Sequence, residues 1–190
     1  MIDRFILKIQ RLLVHYRYCR KFKEFGAKSS LVSPLRVFGP ENIVIGNNVS
    51  IHHKCWLQAI PLTGGRCSLQ IGDGTTIGDY NHIIATGNII IENNVLTANG
   101  VYISDNLHEY EDINTPIKLQ PIKQLKNVLI GEGCWIGEHV SIIGASIGRH
   151  SVIGANSVVT HDVPDYCVAV GIPAKVIKKY DFNLNQWIKV

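Results

Sequence analysis

Branched aliphatic residues recur at every sixth position along most of this chain. Val37 and Ile43 stand six apart, as do Ile45, Ile51 and Leu57. After a break come Ile71, Ile77 and Ile83, then Ile91, Thr97 and Ile103; after a second break come Ile130, Ile136 and Ile142, then Ile147, Ile153 and Val159. A second apolar residue often precedes by two, as at Val49, Val95, Val101, Val128 and Val140. Alternation over so few residues predicts very short strands. Sustained at a six-residue period, it predicts a parallel β-helix, a solenoid in which three hexads close one coil. The branched residue of each hexad points inward and stacks on its equivalent one coil away. Gly, Asn and Asp crowd the following positions (Gly46-Asn47-Asn48, Gly72-Asp73-Gly74, Glu92-Asn93-Asn94) because the corners need tight or left-handed backbone. A single coil cannot bury its own core, so neighbouring coils are obligatory.

The period slips twice, and two segments leave it. Ile142 to Ile147 is one residue short and Ile83 to Ile91 two residues long, so local bulges are expected. Residues 58–70, with Pro61 and Gly64-Gly65, read as a loop. Residues 104–127, with Pro116 and Pro121, read as a longer one, extruded from the coil. Loops of this length in a compact solenoid usually carry function. The coil is expected to end near Asp162-Val163-Pro164, where Pro blocks further pairing. Ahead of it, Ile2, Phe5, Ile6, Ile9, Leu12, Leu13 and Tyr16 fall at helical spacings with basic residues between them. That predicts an α-helix over 1–25, either a cap on the coil or a basic amphipathic helix on an anionic membrane surface. The expected organisation is a helical cap at 1–30, a β-helix at 31–164 with the loop 104–127, and a tail at 165–190.

Charge adds one point to this picture. The chain's net +4 hides a local excess of six positive charges within residues 1–28, so the rest is slightly acidic. A uniformly basic nucleic-acid binder would not look like this. Apolar residues make up 46% and charged residues 18%, a globular balance. The five Cys are odd in number, far apart and without a C-x-x-C pair, which points to reduced thiols and a cytoplasmic protein. No signal peptide is recognisable, and no apolar run approaches the roughly 18 residues of a membrane span.

Several runs of sequence go beyond the repeat. Gly100-Val-Tyr-Ile-Ser-Asp105-Asn-Leu-His108-Glu-Tyr-Glu-Asp112 leads through the loop into Val128-Leu-Ile-Gly131-Glu-Gly-Cys-Trp135-Ile-Gly137. Ile153-Gly-Ala155-Asn-Ser-Val-Val-Thr160-His-Asp-Val-Pro164 and Gly171-Ile-Pro-Ala-Lys175-Val-Ile177 follow. Together, over roughly residues 40–180, these resemble the left-handed β-helix acyltransferases, in particular maltose and galactoside O-acetyltransferases and their relatives in surface-polysaccharide synthesis. The resemblance implies transfer of an acetyl group from acetyl-CoA to a hydroxyl of a sugar-like or lipid-linked saccharide acceptor, by a homotrimer with the cofactor between coils. It places the family's catalytic histidine on His108. Imidazole suits the task, because a sugar hydroxyl must lose its proton as it attacks and an unperturbed His titrates near roughly pH 6.5. It assigns the oxyanion donor to the backbone amide of Glu138. It also places Trp135, Ala155 and Thr160 along the thioester and pantetheine arm, and Lys175 and Lys178 at the coenzyme's phosphates. His161 stands where the galactoside enzymes have Lys.

On the acceptor side, Asp105 and Asp112 either hydrogen-bond sugar hydroxyls, orient His108, or serve only as turn residues. The family's acceptor Asn maps onto Tyr80, with Asn81 one place away. Three other readings stay open. A nucleotide-sugar N-acyltransferase would need the same base. A non-catalytic coil could act as an assembly module. A zinc site like that of the γ-type carbonic anhydrases, also left-handed β-helices, is disfavoured. His139, His150 and His161 are spaced by eleven, which is not a whole coil, and zinc needs three converging ligands. No metal is expected.

Overall fold

The computed structural model describes residues 18–190, and over them the chain winds into a three-faced parallel β-helix. The first face stacks Glu24–Phe25, Ile43–Ile45, Ser68–Ile71, Asn88–Ile91 and Val128–Ile130, and bridges extend it to Ile147 and Val163. The second stacks Ser30–Leu31, Ser50–Ile51, Thr76–Ile77, Leu96–Thr97, Trp135–Ile136, Val152–Ile153 and Cys167–Gly171. The third stacks Arg36–Phe38, Trp56–Ala59, His82–Ala85, Tyr102–Ser104, Ser141–Ile143 and Val158–Val159.

The six-residue positions form columns through the core. Ile45, Ile71, Ile91 and Ile130 stack on face one, Ile51, Ile77, Thr97, Ile136 and Ile153 on face two, and Leu57, Ile83, Ile103, Ile142 and Val159 on face three. All of these are buried. At Gly100 the backbone is left-handed (φ 68°), and a Cβ there would lie 2.3 Å from the His139 ring one coil on, so only glycine fits.

Both loops leave by the same corner. Residues 60–67 and 105–127 emerge between face three and face one on neighbouring coils. The two register slips fall at this corner as well, so it absorbs every change of length while the three faces keep their pairing. The longer excursion is not irregular throughout. Asn106–His108 pairs antiparallel with Ile122–Gln124, which makes a hairpin.

Three boundaries differ from the sequence reading. Most of the expected helix over 1–25 lies outside the described residues. Its last part is not helical, since residues 19–23 turn and Glu24–Phe25 is the first strand, paired with Val44 and Ile45. The helical cap at 1–30 therefore overreaches, because the coil's own hydrogen bonds claim residues 24–31. Pro164 does not end the coil either. It sits at a corner, where no ladder N–H is required, and Cys167–Gly171 goes on to pair in parallel with Val152–Ile153. The tail then turns back through Gly171-Ile172-Pro173-Ala174 into two antiparallel strands, Ala174–Asp181 and Gln186–Lys189, which extend face two.

Three of the five free thiols are buried in the columns. Burial pushes the Cys55 thiol up to about 12 and that of Cys134 to about 11, and each donates to a carbonyl of the next coil, Gly78 and Gly148. With so little thiolate, neither reacts while the coil is intact. Iodoacetamide applied at about pH 8 is expected to leave Cys55 and Cys134 unmodified in the native protein and to alkylate both after denaturation, as read by peptide mass spectrometry.

Candidate active site

His108 is the last residue of the hairpin's first strand, where it pairs with Ile122 and is exposed. The hairpin leans over the outside of face three and encloses a cavity of about 360 Å³. His108, Ile122 and Leu62 line one side, and Trp56, His82 and Tyr102 of face three the other. Leu62 comes from the shorter loop, so the cavity needs both excursions from the shared corner.

A buried carboxylate holds the hairpin's base. Asp105 is fully buried, and its oxygens accept from the Thr86 N–H (2.9 Å), the Gly87 N–H (2.8 Å) and the Asn106 amide (3.0 Å). Its backbone carbonyl accepts from Leu125 N–H and the Gln124 side chain, both at 2.8 Å, and Gln124 Oε1 accepts from the Thr63 hydroxyl at 2.8 Å. Asp105 is thus a structural tie between two coils and both loops, with no lone pair left toward an acceptor. Asn81 is likewise fully buried. It lies in a core column, and its Nδ2 donates to the carbonyls of Gly78 and Ala98. Neither residue reaches the cavity, which corrects both acceptor assignments. Asp112 closes a loop turn, accepting from Asn114 N–H and the Thr115 hydroxyl, and these bonds hold its carboxyl below the usual carboxylate range.

The residues assigned to the cofactor lie elsewhere on the same chain. Trp135 stands exposed on the outside of face two, in register with Leu96 before it and Val152 after it. Val152 is followed by Val168, and Val168 by Lys178. An apolar track therefore runs along the coil axis and ends in a cation, with Lys175 further along the same strand opposite Val170. Thr160 is not on this track. It sits at the far end of Val158–Val159, its hydroxyl 3.0 Å from His161 Nδ1.

The Glu138 amide occupies a distinctive place between faces two and three. At this corner each coil's backbone N–H is normally capped by an Asx side chain of the next coil: His53 N–H donates to Asp79 Oδ1 (2.8 Å) and Asp79 N–H to Asn99 Oδ1 (2.9 Å). The same ladder runs along the neighbouring corner, from Ala27 through Asn47 and Asp73 to Asn93. Opposite Glu138 the next coil offers Ala155, which has no acceptor. Among the described residues neither the Glu138 N–H nor the Asn99 N–H before it has a protein partner. A methyl group in the ladder thus leaves a fixed, outward N–H donor.

None of Glu138, Trp135, Ala155, Thr160, Lys175 or Lys178 lines the His108 cavity. One chain thus presents two half-sites, a base over face three and a cofactor-like track on face two. His139, His150 and His161 stand at three different corners, and among the described residues no cluster of three or more His, Cys, Asp or Glu is arranged to hold a metal. Sequence reading passed over Trp56, His82 and Tyr102. Each directly precedes an inward aliphatic of face three (Leu57, Ile83, Ile103), a signal readable from the repeat once the faces are numbered.

A β-helix that holds an imidazole over one face and a free backbone donor at a corner is the architecture of a solenoid acyltransferase. Residues 127–161 match the hexapeptide repeat of succinyl-transferase. A putative lipopolysaccharide biosynthesis O-acetyl transferase of Escherichia coli K12, WbbJ, is 35% identical over 183 residues, covering 93% of this chain and 87% of its own. Among solved structures, AntD, an N-acyltransferase from Bacillus cereus in complex with dTDP and coenzyme A, superposes with a TM-score of 0.73 at 20% identity over 90% of each chain. A hexapeptide-repeat acetyltransferase of Vibrio cholerae, complexed with acetyl-CoA, gives a TM-score of 0.63 at 24% identity, covering 88% of this chain and 76% of its own. The protein belongs to the hexapeptide-repeat acyltransferases, and its relatives are acetyltransferases.

Proposed function

We propose that the protein is an acetyl-CoA-dependent O-acetyltransferase acting on a sugar or a saccharide precursor of a surface polysaccharide, with His108 as general base. The observation that carries this reading is the seating of His108 on a cavity of substrate size, on a hairpin locked by Asp105. The long likeness to an O-acetyl transferase favours a hydroxyl over an amine as acceptor.

Bound acetyl-CoA supplies an activated acyl carbonyl. The protein's own groups suit the rest of the chemistry. His108 takes the proton of the attacking hydroxyl and can return it toward the leaving sulfur. The uncapped N–H of Glu138 offers a donor where the carbonyl oxygen gains charge. Trp135 and the apolar track fit a thin, largely uncharged arm, and Lys175 and Lys178 fit phosphates at its end. Because the two half-sites lie apart on one chain, the reading includes a homotrimer of left-handed coils in which the base of one subunit meets the track of the next. It also includes a cytoplasmic setting, in keeping with free thiols. Contact of residues 1–17 with a membrane surface remains part of the same proposal, since lipid-linked saccharides fit the acceptor class.

Release of coenzyme A thiol from acetyl-CoA, measured with and without a panel of sugar acceptors, tests the activity. Acceptor-dependent thiol release supports it, and none across simple sugars, nucleotide sugars and lipid-linked saccharides removes it. The role of the corner amide has its own test. Ala155→Asn restores the Asx ladder and gives Glu138 N–H an internal partner. Turnover is expected to fall by roughly 10²–10³-fold, the cost of losing one oxyanion donor, while thermal stability holds or rises. A variant as active as wild type would take the donor role from Glu138.

A further inference from the structure

Arg36, Trp56, His82 and Tyr102 occupy the same register position on four successive strands of face three. Each stands one residue ahead of an inward-pointing residue, so each points away from the core. The coil repeat of roughly 4.8 Å suits stacked rings. Trp56 and His82 stack with centroids 4.2 Å apart and planes 23° apart, Tyr102 meets His82 edge-on at 5.4 Å, and the Arg36 guanidinium lies 4.5 Å over Trp56. The three rings form the wall of the cavity facing His108.

Stacking occupies the ring faces and leaves the edges, which carry the nitrogens, for any ligand. Trp56 Nε1 and His82 Nε2 are both buried, and neither has a protein partner among the described residues. Buried polar atoms are rarely left unpaired in native proteins. An indole N–H only donates, whereas a neutral imidazole with its proton on Nδ1 offers Nε2 as an acceptor. Burial, and then the charge of Arg36, lower the pKa of His82, so its ring stays neutral at neutral pH and keeps that lone pair. A carboxylate or phosphate could satisfy only the indole, and an ammonium only the imidazole. A hydroxyl can accept from one and donate to the other.

We propose that the cavity beside His108 is the acceptor pocket, and that Trp56 Nε1 and His82 Nε2 together hold a hydroxyl of a sugar-like acceptor other than the one acetylated. By gripping that neighbour, the pair selects which hydroxyl faces His108. Trp56 and His82 are thus specificity-determining residues. This assignment rests on His108 being the base.

The probes are methyl hexopyranosides and nucleoside-diphosphate hexoses, each with its monodeoxy analogues, read in two ways. The variant Trp135→Phe/Trp187→Phe leaves Trp56 as the sole tryptophan, and its emission is expected to shift when an acceptor with the required hydroxyl is added. In steady-state kinetics, His82→Phe keeps a ring in the stack but removes the nitrogen. It is expected to raise the acceptor KM roughly tenfold, leave the acetyl-CoA KM unchanged, and erase the preference for the parent sugar over one monodeoxy analogue. Trp56→Phe should behave alike, and a melting temperature near wild type for either variant excludes simple unfolding. The inference is overturned if no probe moves the Trp56 emission, or if His82→Phe and Trp56→Phe discriminate deoxy analogues as wild type does. Emission reports occupancy whether or not transfer follows. Binding without His108-dependent transfer therefore removes the base, whereas His108-dependent transfer without deoxy discrimination removes the hydroxyl grip.

Discussion

Replacing His108 with alanine is expected to lower acetyl transfer by roughly 10²–10⁴-fold, the range that positioned general bases contribute, and to leave acetyl-CoA binding intact. Two observations separate these effects. His108 lies on the hairpin over face three, and the Trp135 track that fits the coenzyme lies on face two. The substitution is also mild structurally, because His108 is exposed and its strand pairing to Ile122 runs through the backbone. Turnover should therefore fall at saturating acetyl-CoA, with the melting temperature and acetyl-CoA affinity (by calorimetry) unchanged. A near-normal turnover in the variant would show that another group takes the proton.

Asp105→Ala should unfold the site without touching it. The substitution removes the acceptor for two buried N–H groups, those of Thr86 and Gly87, and for the Asn106 amide. Hydrogen bonds to a buried charge and the desolvation of orphaned donors set the scale, a loss of about 3 kcal/mol. Because Thr86 and Gly87 belong to one coil and Asn106 to the hairpin, the loss falls on the joint between them. The expected result is lower stability in urea denaturation together with a drop in turnover, with the hairpin around Asn106–His108 exchanging its amide hydrogens faster than the coil's faces. Asp105→Asn keeps one acceptor oxygen and should recover part of both. Full stability in the alanine variant would mean that the tie is not what holds the hairpin.

The division between legible and illegible residues follows one physical line. Ile77, Ile136 and Ile153 announced themselves because inward stacking demands the same residue type at the same phase in every coil. Once that demand meets a corner, residue type stops being informative. Asp105 and Asn81 looked like acceptor contacts because both are polar and sit beside the motif, yet the fold spends both on backbone groups that burial would otherwise leave unpaired. His82 gave no such signal in one dimension, since its meaning comes from Trp56 and Tyr102, twenty or more residues away and one coil distant on either side.

Periodicity by itself determined that the backbone coils, how many faces it has and which residues fill the core, because hydrophobic stacking repeats with the chain. The Gly-x-Pro-Ala-Lys tail and the His108 segment marked where chemistry belongs. Only the tertiary structure decided that both loops leave by one corner and that Ala155 uncaps the Glu138 amide. Tertiary structure alone also made Asp105 a brace and raised a ring stack opposite His108. These are relations between coils, and neighbours along the coil axis are strangers along the chain.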